Sequence, residues 1–454
     1  MDMTKGNLFY QILTFSLPLA LTGILQLLYN AADMIVVGNW GSETSLAAVG
    51  STGSLVNLIV NMFMGLSVGA SVVVAKAIGA GDAEKASRAT HTSILVSVIC
   101  GIAVGAFGFF MARTMLEWMD SPSDVIELST LYVKIYFLGM PSTMLYNFGS
   151  SILRATGDTK RPLYFLILSG IINVVLNLIL VIPFGLDVAG VAIATVVSTT
   201  VSAVLVLVCL AKTDGCCKLS LAKMKISVTE LGEVVRVGLP AGIQGSIFSI
   251  SNVLIQRSVN LFGSVTMSGN SAAQNIEGFV YTAMNSIYQA ALTFTGQNYG
   301  ARNYKRIRAV CSWCLIIVSA IGIVGGVGVF LLKEQLLSIY DQNPDVISAG
   351  VRRISVIAVT YAICGAMDVL VGMMRGLGKS VVPMIVSIIG VCGVRIVWIY
   401  TVFAEHQTLF WLYYSYPLSW VATLAVHTIC YEFLMRKITR KSYPQEIKAE
   451  ENTL

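Results

Sequence analysis

Charge is scarce in this sequence. Only 12% of its residues are Asp, Glu, Lys or Arg, where soluble domains carry about 25%, and that deficit excludes a water-soluble globular protein. Strict alternation of apolar and polar residues is missing as well, which excludes a transmembrane β-barrel. There is no G-x-x-x-x-G-K-[ST] segment and no soluble stretch to hold one, so no nucleotide-driven motor is expected. The three histidines, His91, His406 and His427, show no metal-ligand spacing. The nine cysteines fall mostly inside apolar runs, where Cys acts as a small hydrophobe; Cys311-x-x-Cys314 lacks the second pair a zinc site needs. No catalytic constellation and no cofactor motif is visible, so the chain is not expected to be an enzyme. The first apolar run is a full span with no A-x-A site after it, so no cleavable signal peptide is expected.

Apolar sequence is abundant. Of 454 residues 56% are hydrophobic, the mean hydropathy is +0.76, and runs near twenty residues recur throughout. This is the pattern of an all-α polytopic membrane protein. Twelve spans are read: near 12–37, 46–75, 93–117, 128–152, 163–183 and 189–211, then near 237–261, 271–296, 310–332, 348–374, 381–403 and 410–434. Lys and Arg gather after every second span, while WGSETS, DSPSDVIE, PFGLDV, GSVTMSG, DQNPDV and AEHQT carry neither. The positive-inside rule then places both termini in the cytoplasm. The net charge of +6 is thus a topology signal, with lipid contact secondary, and no nucleic acid is expected as partner.

The halves are copies. Arg154-x-x-Gly157 with Pro162 returns 221 residues later as Arg375-x-x-Gly378 with Pro383, and Gly79-Ala-Gly-Asp82 returns as Gly300-Ala-Arg-Asn303. Leu17-Pro18 returns as Leu239-Pro240, one residue out of step. Six spans per repeat bring both halves into the membrane in the same direction, so two lobes related by a pseudo-twofold along the membrane normal are expected. The divisions read are a first lobe 1–211, a cytoplasmic linker 212–236, a second lobe 237–436 and a cytoplasmic tail 437–454. Such a repeat points to a secondary transporter.

Ionisable residues inside spans are expensive and so mark candidate sites. Leu17–Val37 carries Asp33, and Asn30, Tyr29, Gln26 and Thr22 lie three, four, seven and eleven residues before it, one helical face. Pro18 one turn into the span is expected to bend it. The alternative is that Asp33 simply reaches water at the outer end, about 32 Å along a helix rising 1.5 Å per residue; the inward run of its stripe favours a cavity. Asn173 and Asn177, four apart, with Thr195, Ser198 and Thr199 on the next span, offer hard oxygen ligands for a proton, Na⁺ or an ammonium group; interhelical hydrogen bonding is the alternative. We take Asp33, Asn173, Asn177 and Thr199 as the ion-coupling set, with Na⁺ held, if at all, by the first three.

The substrate-cavity candidates are Gln26, Tyr29, Asn30, Gln244, Asn252, Glu277, Asp368 and Arg395. Glu277 lies early in its span. Asp368 precedes Arg375 and either pairs with an arginine or lines the inner mouth. Arg395 lies near mid-membrane and needs a partner, for which Asp368 and Glu277 are the carboxylates of that half; a structural clamp is the first reading, an anion or substrate contact the second. Arg257, Lys134, Arg113, Lys333, Arg352 and Arg353 fall near span ends and are expected to snorkel.

The chain resembles the MATE (multidrug and toxic compound extrusion) transporters of bacteria over its whole length. The likeness rests on LPLALTGILQLLYNAADMIVVGNWG, SVGASVVVAKAIGAGDAEKA, LRATGDTKRP, GLPAGIQGSIFSISNVLIQ and AALTFTGQNYGARN. It implies two six-helix lobes, residence in the bacterial cytoplasmic membrane, and export of amphipathic organic cations in exchange for H⁺ or Na⁺. It implies Asp33 as the coupling residue and carries the helix-five asparagine pair onto Asn173 and Asn177. The chain departs from family patterns at Val181, Phe248 and Cys364, where branches of the family carry acids. A site with one carboxylate fewer favours H⁺ over Na⁺. A monomer is expected. A lipid-linked oligosaccharide flippase, or a channel or receptor module, is the alternative.

Overall fold

The computed structural model describes residues 1–451 apart from 43, 120, 121, 123 and 124. Parts of the WGSETS and DSPSDVIE loops and the last three residues of the expected tail therefore lie outside the described residues.

Every described element is helical. The order is α1 Leu8–Trp40, α2 Ser45–Gly79, α3 Ala83–Trp118, α4 Ile126–Leu138, α5 Met140–Ala155, α6 Lys160–Val181, α7 Asp187–Lys212, α8 Val228–Asn260, α9 Ser264–Gly300, α10 Tyr304–Leu331, α11 Lys333–Ser338, α12 Pro344–Ile357 and α13 Tyr361–Gly376. Then come α14 Val381–Ser387, a π-helical stretch Ile388–Gly393, α15 Val394–Trp398, a second π stretch Ile399–Phe403, α16 Ala404–His406 and α17 Leu409–Glu451. Helices are the solution lipid demands, since each closes its own backbone hydrogen bonds.

All twelve expected spans have helical counterparts, and among the described residues ten are long and apolar enough to cross a membrane. Two spans have local causes for falling short of that measure. The span read at 128–152 is broken at Gly139, where a side chain would strike Val196 at 2.7 Å. The one at 271–296 lies within α9, a helix that buries Asn270, Glu277, Thr293, Thr295, Gln297 and Asn298. Large apolar side chains such as Phe110, Ile389 and Phe433 are exposed on the outside of the helices, as a lipid-facing surface requires.

The internal repeat is visible at atomic detail. Gly81 (φ +70°) and Arg302 (φ +56°) both take the left-handed conformation, and the next residue caps the following helix: Asp82 accepts from Lys85 N at 2.8 Å, Asn303 from Arg306 N at 3.2 Å. Gly157 (φ +87°) and Gly378 (φ +76°) likewise match. A side-chain carboxylate or amide at the cap satisfies an otherwise orphaned helix N–H, so the same turn is written twice with different letters. Pro18 and Pro240 sit inside the continuous helices α1 and α8.

The chain forms two compact units, Leu13–Ile250 with Met1–Gly6, and Ser251–Leu454 with Asn7–Ile12. In the first, α3 packs on α4 and α5, and α6 on α7, around a core that includes Phe137, Met140, Met144, Phe148, Ile152 and Val206. Its linker is fastened to the start of α3: Ser220 N donates to His91 Nε2 at 3.0 Å, Ser227 N to Thr92 Oγ1 at 3.0 Å, and Arg88 pairs with Glu230 at 3.0 Å. In the second unit, α9 packs against α10, α12 and α13, and α13 against α17.

The first half of α8 crosses α2 at backbone distance. A Cβ on Gly242 would sit 2.0 Å from the Met62 carbonyl oxygen, whereas one on Gly232 of the same helix meets nothing within 4 Å. Gly242→Val is therefore expected to cost at least about 1–3 kcal/mol, read as a fall in thermal midpoint of the detergent-purified protein. Gly232→Ala should raise stability by roughly 0.5–1 kcal/mol through helix propensity.

Candidate functional site

In the first unit α1, α6 and α7 bring together a carboxylate, two amides and a hydroxyl. Asn177 Nδ2 donates to Asp33 Oδ1 at 2.5 Å and lies 3.3 Å from Asn173 Oδ1. Asn173 Nδ2 in turn reaches Thr195 Oγ1 at a long 3.5 Å. Spacing four apart on α6 stacks the two amides one turn above the other, as the helical period dictates. Both asparagines are buried, Asn177 completely, while Asp33 is half-buried. Thr195 therefore stands where Thr199 was expected: Thr199 lies one turn further along α7 and gives its hydroxyl to the Thr195 carbonyl at 2.7 Å.

One acceptor in this chain of donors has no partner. Asn177 Oδ1 is buried and receives no hydrogen bond from any described residue. Leaving a buried polar atom unpaired costs roughly 1–3 kcal/mol.

Tyr29 sets the depth at which Asp33 meets α6. Its hydroxyl donates to the Leu166 carbonyl at 3.3 Å, and its ring lies over Gly170, where a Cβ would come within 1.8 Å of Cζ. Tyr29 is one turn before Asp33 and Gly170 is one turn before Asn173, so the aromatic-on-glycine contact and the carboxylate–amide contact share a register. Gln26 and Asn30 are exposed on the same helix. Further along this unit, Gln244 is buried in α8.

The second unit holds a different arrangement. Arg353 Nη2 pairs with Glu277 Oε2 at 2.8 Å, its Nε reaches both Glu277 oxygens at 3.2 and 3.1 Å, and its Nη1 donates to Asn270 Oδ1 at 3.0 Å. Tyr361 OH donates to Glu277 Oε2 at 3.1 Å, Tyr413 OH to Asn270 Oδ1 at 3.2 Å, and Asn270 Nδ2 to Gln256 Oε1 at 3.1 Å. Arg353 is 4% exposed and Glu277 2%, so the expectation that Arg353 snorkels is overturned. The sequence held the signal. Val346, Ala349, Gly350, Arg353 and Ile357 lie at helical spacing on one buried face of α12, while Arg352 points out.

That pairing also corrects the expected clamp of Arg395. Glu277 is taken by Arg353, and among the described residues neither Arg395 nor Asp368 makes an ion pair. Asp368 is half-buried on α13, seven residues before Arg375, whose Nη1 donates to Tyr288 OH at 2.5 Å. Arg395, 5% exposed, stacks on Tyr416 and donates from Nε to Ser419 Oγ at 3.0 Å. Asn252 is exposed on α8.

Many long apolar helices carrying ionisable side chains within them mark an integral membrane protein. Residues 18–179 and 240–401 each match the MatE family, and the chain belongs to that family, one of transporters and not of enzymes. The two matched stretches begin at the repeat-related Pro18 and Pro240. The chain is similar to the probable multidrug resistance protein YoeA of Bacillus subtilis, 26% identical with 96% of each chain covered. The probable multidrug resistance protein NorM of Thermotoga maritima is 23% identical, with 85% of this chain and 84% of the relative covered. Among solved structures, an outward-facing conformation of a multidrug resistance MATE family transporter superposes with a TM-score of 0.90 at 22% identity, covering 96% of this chain and 98% of that one. The all-helical fold expected from hydropathy is thus the fold of these transporters.

Two consequences can be measured. Glu277→Gln leaves Arg353 buried without its counter-charge and is expected to cost about 3–5 kcal/mol, seen as a large fall in thermal midpoint; adding Arg353→Met should restore much of it. Gly170→Ala forces the Tyr29 ring off α6 and should depress transport. Tyr29→Ala in the Gly170→Ala background removes the clash and should recover part of the loss.

Proposed function

We propose that the chain is a cation-coupled exporter of amphipathic organic cations working by alternating access, with Asp33 as the group that takes up and releases the coupling ion. H⁺ is favoured over Na⁺. The observation that carries this reading is the orphaned Asn177 Oδ1 beside the Asp33–Asn177 hydrogen bond. A protonated Asp33 still accepts from the Asn177 amide through one oxygen and supplies, from the other, the hydroxyl donor that Asn177 Oδ1 lacks. Acid and primary amide satisfy each other fully; carboxylate and amide do not.

Asn173 and Thr195 hold the acceptor in place, and a single carboxylate in this cluster matches a single proton. Na⁺ would use the same oxygens with one acid fewer than branches of the family provide. The names of the bacterial relatives support drug export as the task. Basic residues after alternate spans support cytoplasmic termini in a bacterial cytoplasmic membrane. The halves 1–211 and 237–436, joined by 212–236, act as the two lobes, and one chain is the working unit.

In proteoliposomes with separately imposed pH and Na⁺ gradients, Asp33→Asn is expected to abolish gradient-driven efflux of a lipophilic cation while the protein folds and still binds it. A pH gradient should drive the wild type where a Na⁺ gradient does not. Full efflux by Asp33→Asn would sink the assignment; drive by Na⁺ alone would reassign the ion.

A further inference from the structure

Tyr416 in the second unit has an arginine on it twice over, and the two arginines differ in one respect. Arg353, with its guanidinium carbon 5.4 Å from the ring centroid, has Glu277 and Asn270 on its terminal nitrogens. Arg395, at 4.0 Å from the same centroid and 5.8 Å from that of Trp420, has only its Nε engaged, by Ser419 Oγ at 3.0 Å. Its two terminal amino groups donate to no described residue, and no carboxylate lies within ion-pair distance among them. Its side chain is nevertheless about as buried as that of Arg353.

Stacking fixes the plane of the guanidinium and Ser419 fixes its rotation in that plane. What stays unengaged is the edge bearing the two terminal nitrogens, the fork that matches an oxyanion. An unanswered cation inside a span is costly, whereas one held ready by aromatic faces has lost little freedom on meeting its partner. The backbone around Arg395 is irregular as well. Arg395 sits in a five-residue α segment with π-helical turns on both sides, Ile388–Gly393 and Ile399–Phe403. Such turns are rare and are frequent at functional sites.

We propose that Arg395, posed by Tyr416, Trp420 and Ser419, is a binding site for an oxyanion, a carboxylate or phosphate, carried by an amphiphile. In naming the cargo as the source of that group the inference rests on the transport reading above, and it widens the cargo from simple cations to amphiphiles that bear an anionic group as well. The binding site itself stands whether or not Asp33 couples transport.

A matched pair of dyes tests it: rhodamine 110, which has a free carboxylate beside its cationic ring system, and rhodamine 123, its methyl ester. Equilibrium binding of each is followed by fluorescence anisotropy on the full chain purified in a neutral maltoside. The wild type is expected to prefer the acid, and Arg395→Gln to weaken the acid about tenfold while the ester moves less than about twofold. Ser419→Ala, which loosens the pose without removing the charge, should weaken the acid alone by a smaller factor and keeps the test readable if Arg395→Gln does not fold. Once the acid preference is seen, phosphatidylglycerol titrated into the micelles separates the sources. Displacement of the acid assigns the site to a lipid phosphate as well, and no displacement assigns it to the cargo's carboxylate. Equal affinity of the wild type for acid and ester, including none for either, or equal loss of both in the variants, overturns the proposal. Because no gradient is involved, failure here is separate from failure of Asp33→Asn to block efflux.

Discussion

A charge inside a membrane-spanning helix has no water to solvate it, so the protein, a proton or a ligand must answer it. The two units of this transporter answer that demand in different ways. In the second, Glu277 and Arg353 neutralise each other, and Tyr361, Asn270, Tyr413 and Gln256 take up the remaining donors and acceptors. Full satisfaction makes this a rigid fixture, because a network with every member paired has nothing to gain from moving. In the first, Asp33 accepts from the Asn177 amide with no counter-charge within ion-pair distance among the described residues, and a buried oxygen stays orphaned.

The helices hold these sites through small residues and caps more than through large apolar contacts. In lipid the apolar effect does not drive helices together, so close backbone approach and interhelical hydrogen bonds do more of the positioning. Gly170 beneath Tyr29 brings α1 onto α6 at the level where Asp33 can reach Asn177. Gly242 lets α8 cross α2 at backbone distance. These contacts are sensitive to a single methyl group, which ties local chain composition directly to the geometry of the site.

The repeat gives the two halves the same turns and caps but not the same chemistry. Asp82 and Asn303 cap matching helices with different side chains, and Gly81 and Arg302 share a left-handed turn that only one of them adopts without strain. The scaffold tolerates such exchange because a cap needs an oxygen acceptor and little else. Ionisable residues within the spans differ further, with Asp33 in one half and the Glu277–Arg353 pair, Asp368 and Arg395 in the other.

How far the sequence alone reached follows from the range of the forces involved. Hydropathy and the helical period act along the chain, so the helical spans, the repeat, the stripe containing Asp33 and the pairing of Asn173 with Asn177 could all be read from it. Arg353 was legible in principle, since it lies on the apolar face of α12, but its position near a span end disguised it. Partner choice depends on which helices become neighbours, and no local pattern encodes that. Only the tertiary structure decided that Glu277 belongs to Arg353 and not to Arg395, that Thr195 and not Thr199 meets Asn173, and that Arg395 lies against Tyr416 and Ser419. Each is a contact of a few ångströms between residues far apart in sequence, set by which helix faces pack together.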